Sequence, residues 1–365
     1  MTDWLPKAFN DGWAYCDRPA AAAPSAACFY AAQYPHSGLE VWQQRLAAGE
    51  IWRNGQQLWG DVALAAGDRL VWHRPPWQEP AVPVLPGPLF DDGDLVVFNK
   101  PSGLQVLPAG GLVRHTLLGQ LEDQVAGAPR PVHRLGRFTS GLLVCARSSA
   151  ARAHLSAQLR DSTAAVQLRH RQELLDSSKD QATAPLQKSA TSRATLPKHA
   201  KKVYRALLMP PLEGSPLHGL AVGQSITIDT PIGRQPHAPL GSLWCAVAPA
   251  PDALTASSRF SLLQVRADGW LVAVAIATGR PHQIRIHAAA AGAPLLGDPL
   301  YLPGGQARSG ALPGDGGYQL HAHRIRLKTL QGEPLDLEAA VPQLLQKQGD
   351  AAAGTKSLRM PLRSC

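Results

Sequence analysis

Residues 131–147, "PVHRLGRFTSGLLVCAR", constrain the fold more than any other stretch of the chain. A basic, polar turn is followed by a segment that is apolar on both of its alternating faces. Such a segment is typical of a strand inside a sheet whose two faces are both covered. The stretch therefore predicts a buried sheet with a basic turn at its mouth, and the centre of that turn is Gly136.

The elements around this strand predict hairpins and a few helices. Asp268-Gly269 interrupts residues 259–280 at a typical hairpin turn. Pro281 is placed as the first residue of a helix that Gly292 would end. We therefore predict an α+β fold with a mainly antiparallel central sheet and flanking helices, and not a βαβ wound sheet.

Composition divides the chain into one small and one large unit. Its 365 residues are enough for both, and six prolines within 75–88 predict a stiff linker between them. In the small unit, Asn54-Gly55 predicts a hairpin. The predicted organisation is an N-terminal extension (1–36), a small unit (37–80), a linker (81–88), a main domain (89–342) with a low-complexity insertion (164–198), and a polar tail (343–365).

The net charge of +9 favours a polyanionic partner such as nucleic acid, although a merely basic enzyme fits the charge equally well. The five scattered cysteines form no Cys-x-x-Cys, which predicts reduced thiols and no structural zinc. No apolar run reaches the ~18 residues of a membrane span. Without a signal core or a transit-type segment, we expect a cytoplasmic protein, with an organelle left open if the source is eukaryotic.

Polar residues cluster at the predicted helix start around Pro281. Arg280, His282, Gln283 and Arg285 lie where free backbone N–H groups favour an anion, such as a phosphate or a buried carboxylate. The alternative is a solvated, arginine-rich helix start. His282 and His287 are five residues apart and do not have the spacing of a metal-binding pair, so no metal is predicted.

Four segments occur in the order and character of one enzyme family: "HRLGRFTSGLLVCAR", "KKVYRALL", "ATGRPHQIRIHAAAAGAPLLGDPLY" and "YQLHAHRI". Together with "NKPSGLQVLPAGG", they resemble the RluA-type RNA pseudouridine synthases. Residues 37–80, in which tryptophans and arginines are interleaved, resemble the S4-like RNA-binding module often found ahead of that domain. Residues 230–246 and "DPLYLPGGQ" resemble the plant and photosynthetic-microbe branch.

The resemblance implies an isomerase without a cofactor. It would flip a uridine out of structured RNA (rRNA or tRNA), cleave its glycosidic bond, rotate the base and rejoin it through carbon. The resemblance implies that the protein associates with no membrane and needs no obligate protein partner. Tyr204 matches the pocket tyrosine that stacks on the base, and Arg285 matches the arginine that pairs with the catalytic aspartate. The predicted RNA-binding residues are His133, Arg134, Arg137, Thr139, Lys202, Arg280, His282 and Gln283.

One position departs from the family pattern. The family's catalytic aspartate directly follows His-Arg-Leu, where this chain has Gly136. Another carboxylate could reach the pocket: Asp298 is interpreted as a structural turn residue, and Asp161 and Asp229 are weaker candidates. Alternatively, the protein binds RNA as a pseudoenzyme or assembly factor, which would leave Arg285 unpaired in a dry pocket at a cost in free energy. A third explanation is a different chemical route.

Overall fold

A computed structural model of the chain describes residues 10–124, 127–160 and 201–348. The predicted insertion (164–198) and most of the predicted tail lie outside the described residues. Within them, no helix is long and apolar enough to cross a membrane.

The N-terminal unit is a four-stranded antiparallel sheet with two helices packed on it. Its elements are β1 (Trp13–Asp17), α1 (Ala26–Gln33), α2 (Leu39–Ala47), β2 (Ile51–Arg53), β3 (Gln56–Gln57) and β4 (Leu70–Arg74), in the sheet order β1-β4-β2-β3. Tyr30, Trp42 and Trp72 form the centre of its core. Asn54 and Gly55 both have positive φ angles, as the predicted hairpin turn requires.

The predicted boundaries of this unit were too narrow. The described part of the predicted extension, residues 10–36, is not separate from this unit, because β1 pairs with β4 along its whole length and α1 buries Tyr30 completely. A short hairpin and one helix bury too little apolar surface to be stable alone, so the earlier residues complete the core. The relation to S4-like modules stays a prediction.

The proline-rich stretch after β4 is docked onto the main domain. The carboxylate of Glu79, which is 4% exposed, accepts backbone N–H groups of Val113, Arg114 and His115 and the amide of Asn10. The predicted stiff linker is therefore held to the surface that it crosses.

The main domain contains a ten-stranded sheet, which confirms the predicted α+β class. Its strands and the accompanying elements are β5 (Phe90–Asp91), β6 (Leu95–Lys100), α3 (Leu117–Gln124), β7 (Arg130–Pro131), β8 (Thr139–Ala146), α4 (149–160), β9 (Lys202–Leu208), β10 (Ser225–Ile228), β11 (Ile232–His237), β12 (Gly241–Ala246), β13 (Ser258–Arg266), β14 (Gly269–Ile276), α5 (Gln283–Ala290), β15 (Leu320–Lys328) and β16 (Pro334–Glu338). The main order is β10-β13-β14-β9-β15-β8-β6-β5, with β16 beside β15 and β7 beside β8. The separate hairpin β11–β12 packs near α5.

Three details differ from the sequence prediction. Helix α5 begins at Gln283 and not at Pro281, because His282 takes a left-handed conformation with φ of 54°. The sequence predicts that the strand at 318–327 is the last one, but a further strand, β16, follows it. The sequence also predicts two strands within 94–108, on either side of a Lys-Pro break and a Ser-Gly turn, but the second forms only an isolated bridge at Gln105.

All eight residues of β8 are buried, as the opening motif predicts. Strands β8 and β15 run parallel and begin together, since Thr139 pairs with Leu320 and Gly141 with Ala322. Gly141 has φ of +103°, and a Cβ there would lie 2.3 Å from the carbonyl oxygen of Ala322. A glycine is required at this close approach, and the approach brings the basic turn next to the residues that precede β15.

Candidate active site

The basic turn before β8 is fixed by a buried lysine at the end of β6. Lys100 is completely buried, and its Nζ donates to the carbonyl oxygens of Pro101 (2.9 Å), Leu104 (2.6 Å) and Arg137 (3.0 Å). Burial lowers the pKa of Lys100 to about 7, while three carbonyl acceptors favour its charged form. Sequence reasoning did not single out Lys100, although a lysine that closes an apolar strand was the available signal.

At the centre of this turn, the space beside Gly136 is filled. A Cβ on Gly136 would lie 2.2 Å from the hydroxyl oxygen of Tyr318 and 3.3 Å from Oγ1 of Thr139. The same two oxygens are 3.2 Å apart, within hydrogen-bonding distance. Tyr318 is 2% exposed, whereas Gly136 itself is exposed. The phenol of Tyr318 therefore occupies the space that a side chain at position 136 would need.

Arg285 has a carboxylate partner, and that partner is Asp298. The pair is bidentate, with Nε–Oδ2 and Nη2–Oδ1 both 2.7 Å, and the side chains are 3% and 0% exposed. Burial alone would lower the pKa of Arg285, but the hydrogen-bonded carboxylate and its neighbours raise it overall. Arg285 is therefore not an unpaired buried charge, because Asp298 neutralises it.

Asp298 is also a turn residue, as interpreted from the sequence. Its Oδ1 also accepts the backbone N–H groups of Leu300 (2.9 Å) and Tyr301 (3.4 Å), as a turn residue does. A completely buried carboxylate with four donors is a poor nucleophile, because its lone pairs are already engaged. Asp298 neutralises Arg285 and holds the following turn; it does not replace the family aspartate in contact with substrate. Of the weaker candidates, Asp229 is exposed just after β10, and Asp161 lies outside the described residues.

Two tyrosines enclose the guanidinium of Arg285. Its Cζ lies 4.1 Å from the ring centroid of Tyr318 and 5.1 Å from that of Tyr301. The hydroxyl of Tyr301 donates to the carbonyl oxygen of Trp244 (2.7 Å), so the 2.7 Å contact with His282 requires that Nδ1 of His282 carries the proton. The tautomer of His282 follows from this assignment.

His282 is consequently a neutral imidazole with a free acceptor. Its pKa is lowered to about 3 by burial, and the charges of Arg285 and Arg134 oppose its protonation as well. No hydrogen bond to Nε2 occurs among the residues that the structure describes. A non-glycine residue in a left-handed conformation is uncommon, and such residues concentrate at functional sites.

Gln283, in contrast, is occupied within the protein. Its Oε1 accepts from Thr278 Oγ1 (2.6 Å) and from the backbone N–H of Arg280 (3.0 Å), and its Nε2 donates to Ser257 and Ser258. Gln283 is 4% exposed, and its hydrogen bonds order the start of α5. It is therefore not available to RNA, contrary to the prediction. Arg280 donates through Nε to the carbonyl of Thr255, and its Nη2 is buried without a hydrogen-bond partner in the described part of the chain.

The remaining predicted RNA-binding residues lie in the turn before β8 and in β9, which is separated from β8 by β15. Arg134 is exposed, whereas Arg137 donates to the carbonyl of Gly103 and lies over the ring of Phe138. The hydroxyl of Thr139 is hydrogen-bonded to that of Tyr318. The unprotonated Nε2 of His133 accepts the backbone N–H of Val144, consistent with a pKa lowered to about 3 by burial and by the charge of Lys202. RNA binding by these four residues stays a prediction, and Arg134 is the exposed one of the four.

Lys202 and Tyr204 occupy the same strand, β9. Burial lowers the pKa of Lys202 to about 8, and its Nζ lies 3.5 Å from the Cβ position of Gly279, next to the segment that leads into α5. Tyr204 sits opposite Ala322 and Val274 and packs between two core clusters. Burial raises its pKa to about 12, so it is a neutral phenol at physiological pH. No group of metal-ligating side chains occurs among the described residues.

Sequence reasoning missed Tyr318 and Tyr301, which complete the surroundings of Arg285. Tyr318 lies within the quoted segment "YQLHAHRI", but nothing local distinguishes it from a core tyrosine. Its role depends on a contact with Thr139, 179 residues away in the chain.

Comparison with known proteins gives consistent matches over nearly the whole chain. A family model described as "RNA pseudouridylate synthase" matches residues 94–168. "RNA pseudouridine synthase 5" of Arabidopsis thaliana is 35% identical over 92% of this chain and 95% of its own. The rice protein of the same name is 33% identical over 96% and 92%, and a Synechocystis protein named as an uncharacterized RNA pseudouridine synthase is 34% identical over 87% and 96%. These relatives agree with the predicted plant and photosynthetic-microbe branch.

A solved structure also matches. Human RNA Pseudouridylate Synthase Domain Containing 1 aligns with a TM-score of 0.43 and 22% identity, covering 72% of this chain and 86% of its own.

Proposed function

The chain belongs to the RluA-type RNA pseudouridine synthase family, and we propose that it isomerises uridine to pseudouridine in structured RNA, either rRNA or tRNA. The observation that carries the proposal is that the turn around Gly136 and Arg285 of α5 meet at Tyr318, and that Tyr204 of β9 packs against the same core cluster as Tyr318. The order of these elements along the chain matches the family motifs, and the identity extends far beyond them.

The geometry suits a nucleotide that is rotated out of its stack. Tyr204 offers a ring beside the turn, and its raised pKa keeps the hydroxyl protonated as a hydrogen-bond donor. Neutral His282 offers an acceptor nitrogen near the charges of Arg134 and Arg285. Base flipping costs a few kcal/mol, and stacking and hydrogen bonds of this kind offset that cost. Exposed Arg134 supplies positive charge for a phosphate.

The compartment is part of the same proposal. The cysteines that the structure describes (Cys16, Cys28, Cys145 and Cys245) are free thiols. We propose a reducing compartment, the cytoplasm, as the site of action.

The test is release of tritium from RNA labelled at C5 of uridine. Isomerisation exchanges the C5–H bond for a C5–C1′ bond, so each turnover releases one labelled proton. Purified full-length protein should release tritium from either rRNA or tRNA transcripts, supplied in separate reactions. Mapping of the modified position then identifies the uridine.

Salt-sensitive RNA binding without tritium release from either transcript would contradict the proposed function and support an RNA-binding protein that does not modify RNA. An affinity that does not change with salt would argue against nucleic acid as the partner, because phosphate contacts release counterions.

A further inference from the structure

We propose that Tyr318 is the catalytic residue that takes the place of the family aspartate, and that Gly136 is present because it makes room for the Tyr318 hydroxyl. The inference rests on the proposed function. In this role, the phenol of Tyr318 donates a hydrogen bond to the flipped uridine, and no covalent bond forms between protein and RNA.

The first argument is distance. In an aspartate, each carboxylate oxygen lies about 2.4 Å from Cβ, as the lengths of C–C and C–O bonds dictate. The hydroxyl oxygen of Tyr318 lies 2.2 Å from the Cβ position of Gly136. An oxygen therefore exists at the distance from the turn where a carboxylate oxygen would be, but it belongs to a different residue.

The second argument is the way in which this oxygen is held. Thr139 Oγ1 is 3.2 Å from it, and the Tyr318 ring lies against the guanidinium of Arg285. Phe138 contacts the same ring edge to face. The phenol is thus fixed by the turn on one side and by α5 on the other, which is the pre-organisation that transition-state contacts require.

The third argument is exposure. Gly136 is exposed although the Tyr318 ring behind it is buried. The Tyr318 hydroxyl oxygen lies 2.2 Å from the Cβ position of this exposed glycine, so no side chain at position 136 stands between the turn and the phenol. Asp298 cannot take the role, because it is completely buried and bound to Arg285.

The experiment compares Tyr318→Phe, Gly136→Ala and the double variant, using the tritium-release assay together with thermal unfolding. Tyr318→Phe removes one oxygen and leaves the ring against Arg285. We expect kcat to fall about 100-fold, as on removal of a donor to developing charge, with KM changed by less than about threefold.

Gly136→Ala tests the shared space. Its Cβ would overlap the phenol oxygen, so we expect a Tm lower by roughly 2–10 °C and a loss of kcat. Gly219→Ala is the matched control, because a Cβ at Gly219 has no atom within 4 Å. In the double variant, the oxygen that causes the overlap is gone, so Tm should return to that of Tyr318→Phe while kcat stays low.

This separation of stability from activity is what a purely structural role cannot produce. Recovery of both Tm and kcat in the double variant, or a Tyr318→Phe enzyme with at least half the kcat of the natural protein, would overturn the inference while the proposed function stands. Absence of activity in the natural protein is a different result, which overturns the proposed function itself.

Discussion

Replacing Asp298 with alanine should destabilise the main domain far more than removing a comparable ion pair at the surface. The substitution leaves the guanidinium of Arg285, 3% exposed, without its bidentate partner. Removing one member of a buried pair costs about 3–5 kcal/mol, because the remaining charge is uncompensated. The backbone N–H groups of Leu300 and Tyr301 lose an acceptor as well.

The chain offers a matched control in Asp91. Its carboxylate also forms a bidentate pair with an arginine, Arg147, at 2.6 and 2.7 Å, and also accepts a backbone N–H, that of Gly93. The two side chains of this pair are 35% and 33% exposed. Exposed pairs contribute about 0.2–1 kcal/mol, so Asp91→Ala should lose no more than that. Burial is the main difference between the two variants.

Urea unfolding followed by far-UV circular dichroism gives the free energy of unfolding for each variant, provided that the m-value is unchanged. We expect a difference of about 2–4 kcal/mol between Asp298→Ala and Asp91→Ala. In thermal scans, the Tm of Asp298→Ala should fall by roughly 6–20 °C. Equal losses in the two variants would refute the conclusion that Asp298 compensates a buried charge.

Three further predictions follow from the same site. Lys100→Met leaves three carbonyl oxygens without the buried donor that they share and should lower the free energy of unfolding by about 2–3 kcal/mol; unchanged urea unfolding would contradict this. The pKa of His282 is lowered to about 3, so the unfolded chain binds a proton that the native chain does not, and stability should fall as pH drops from about 6.5 towards 3. His282→Asn, which tolerates the left-handed conformation, should flatten the change in Tm between pH 7 and 5, whereas parallel curves would exclude this titration. Arg134→Gln should weaken RNA binding and reduce the slope of log Kd against log salt by about one; an unchanged slope would show that Arg134 contacts no phosphate.

The parts of the fold that could be predicted depend on local signals. The apolar run of β8 and the turn at Asp268-Gly269 determine their own structures, and both predictions are confirmed. The hairpin β11–β12 carries no such signal, because polar residues and Pro236 interrupt its first strand. The parallel pairing of β8 with β15 joins distant segments, and no local pattern records it.

The candidate site divides in the same way. Arg285 could be recognised from its motif, but its partner could not, because Asp298 was interpreted as a structural turn residue and only the folded chain shows that it also pairs with Arg285. His282 was placed inside a helix predicted to begin at Pro281, but the helix begins at Gln283, since a left-handed residue is not visible in a pattern of polar and apolar positions. Tyr318 was invisible because its contacts with the turn exist only in the folded chain.

Gly136, Tyr318 and the pair of Arg285 with Asp298 are consistent with one another in a way that a simple loss of the family aspartate would not produce. Such a loss would leave a cavity beside the turn and a buried guanidinium without a counter-charge, both of which are destabilising. In this chain, the space holds a hydrogen-bonded phenol and the guanidinium holds a buried carboxylate. An aspartate at position 136 would overlap the phenol and would find Arg285 already neutralised. The aspartate and Tyr318 are therefore alternative solutions at this turn, and the glycine belongs to the second of them.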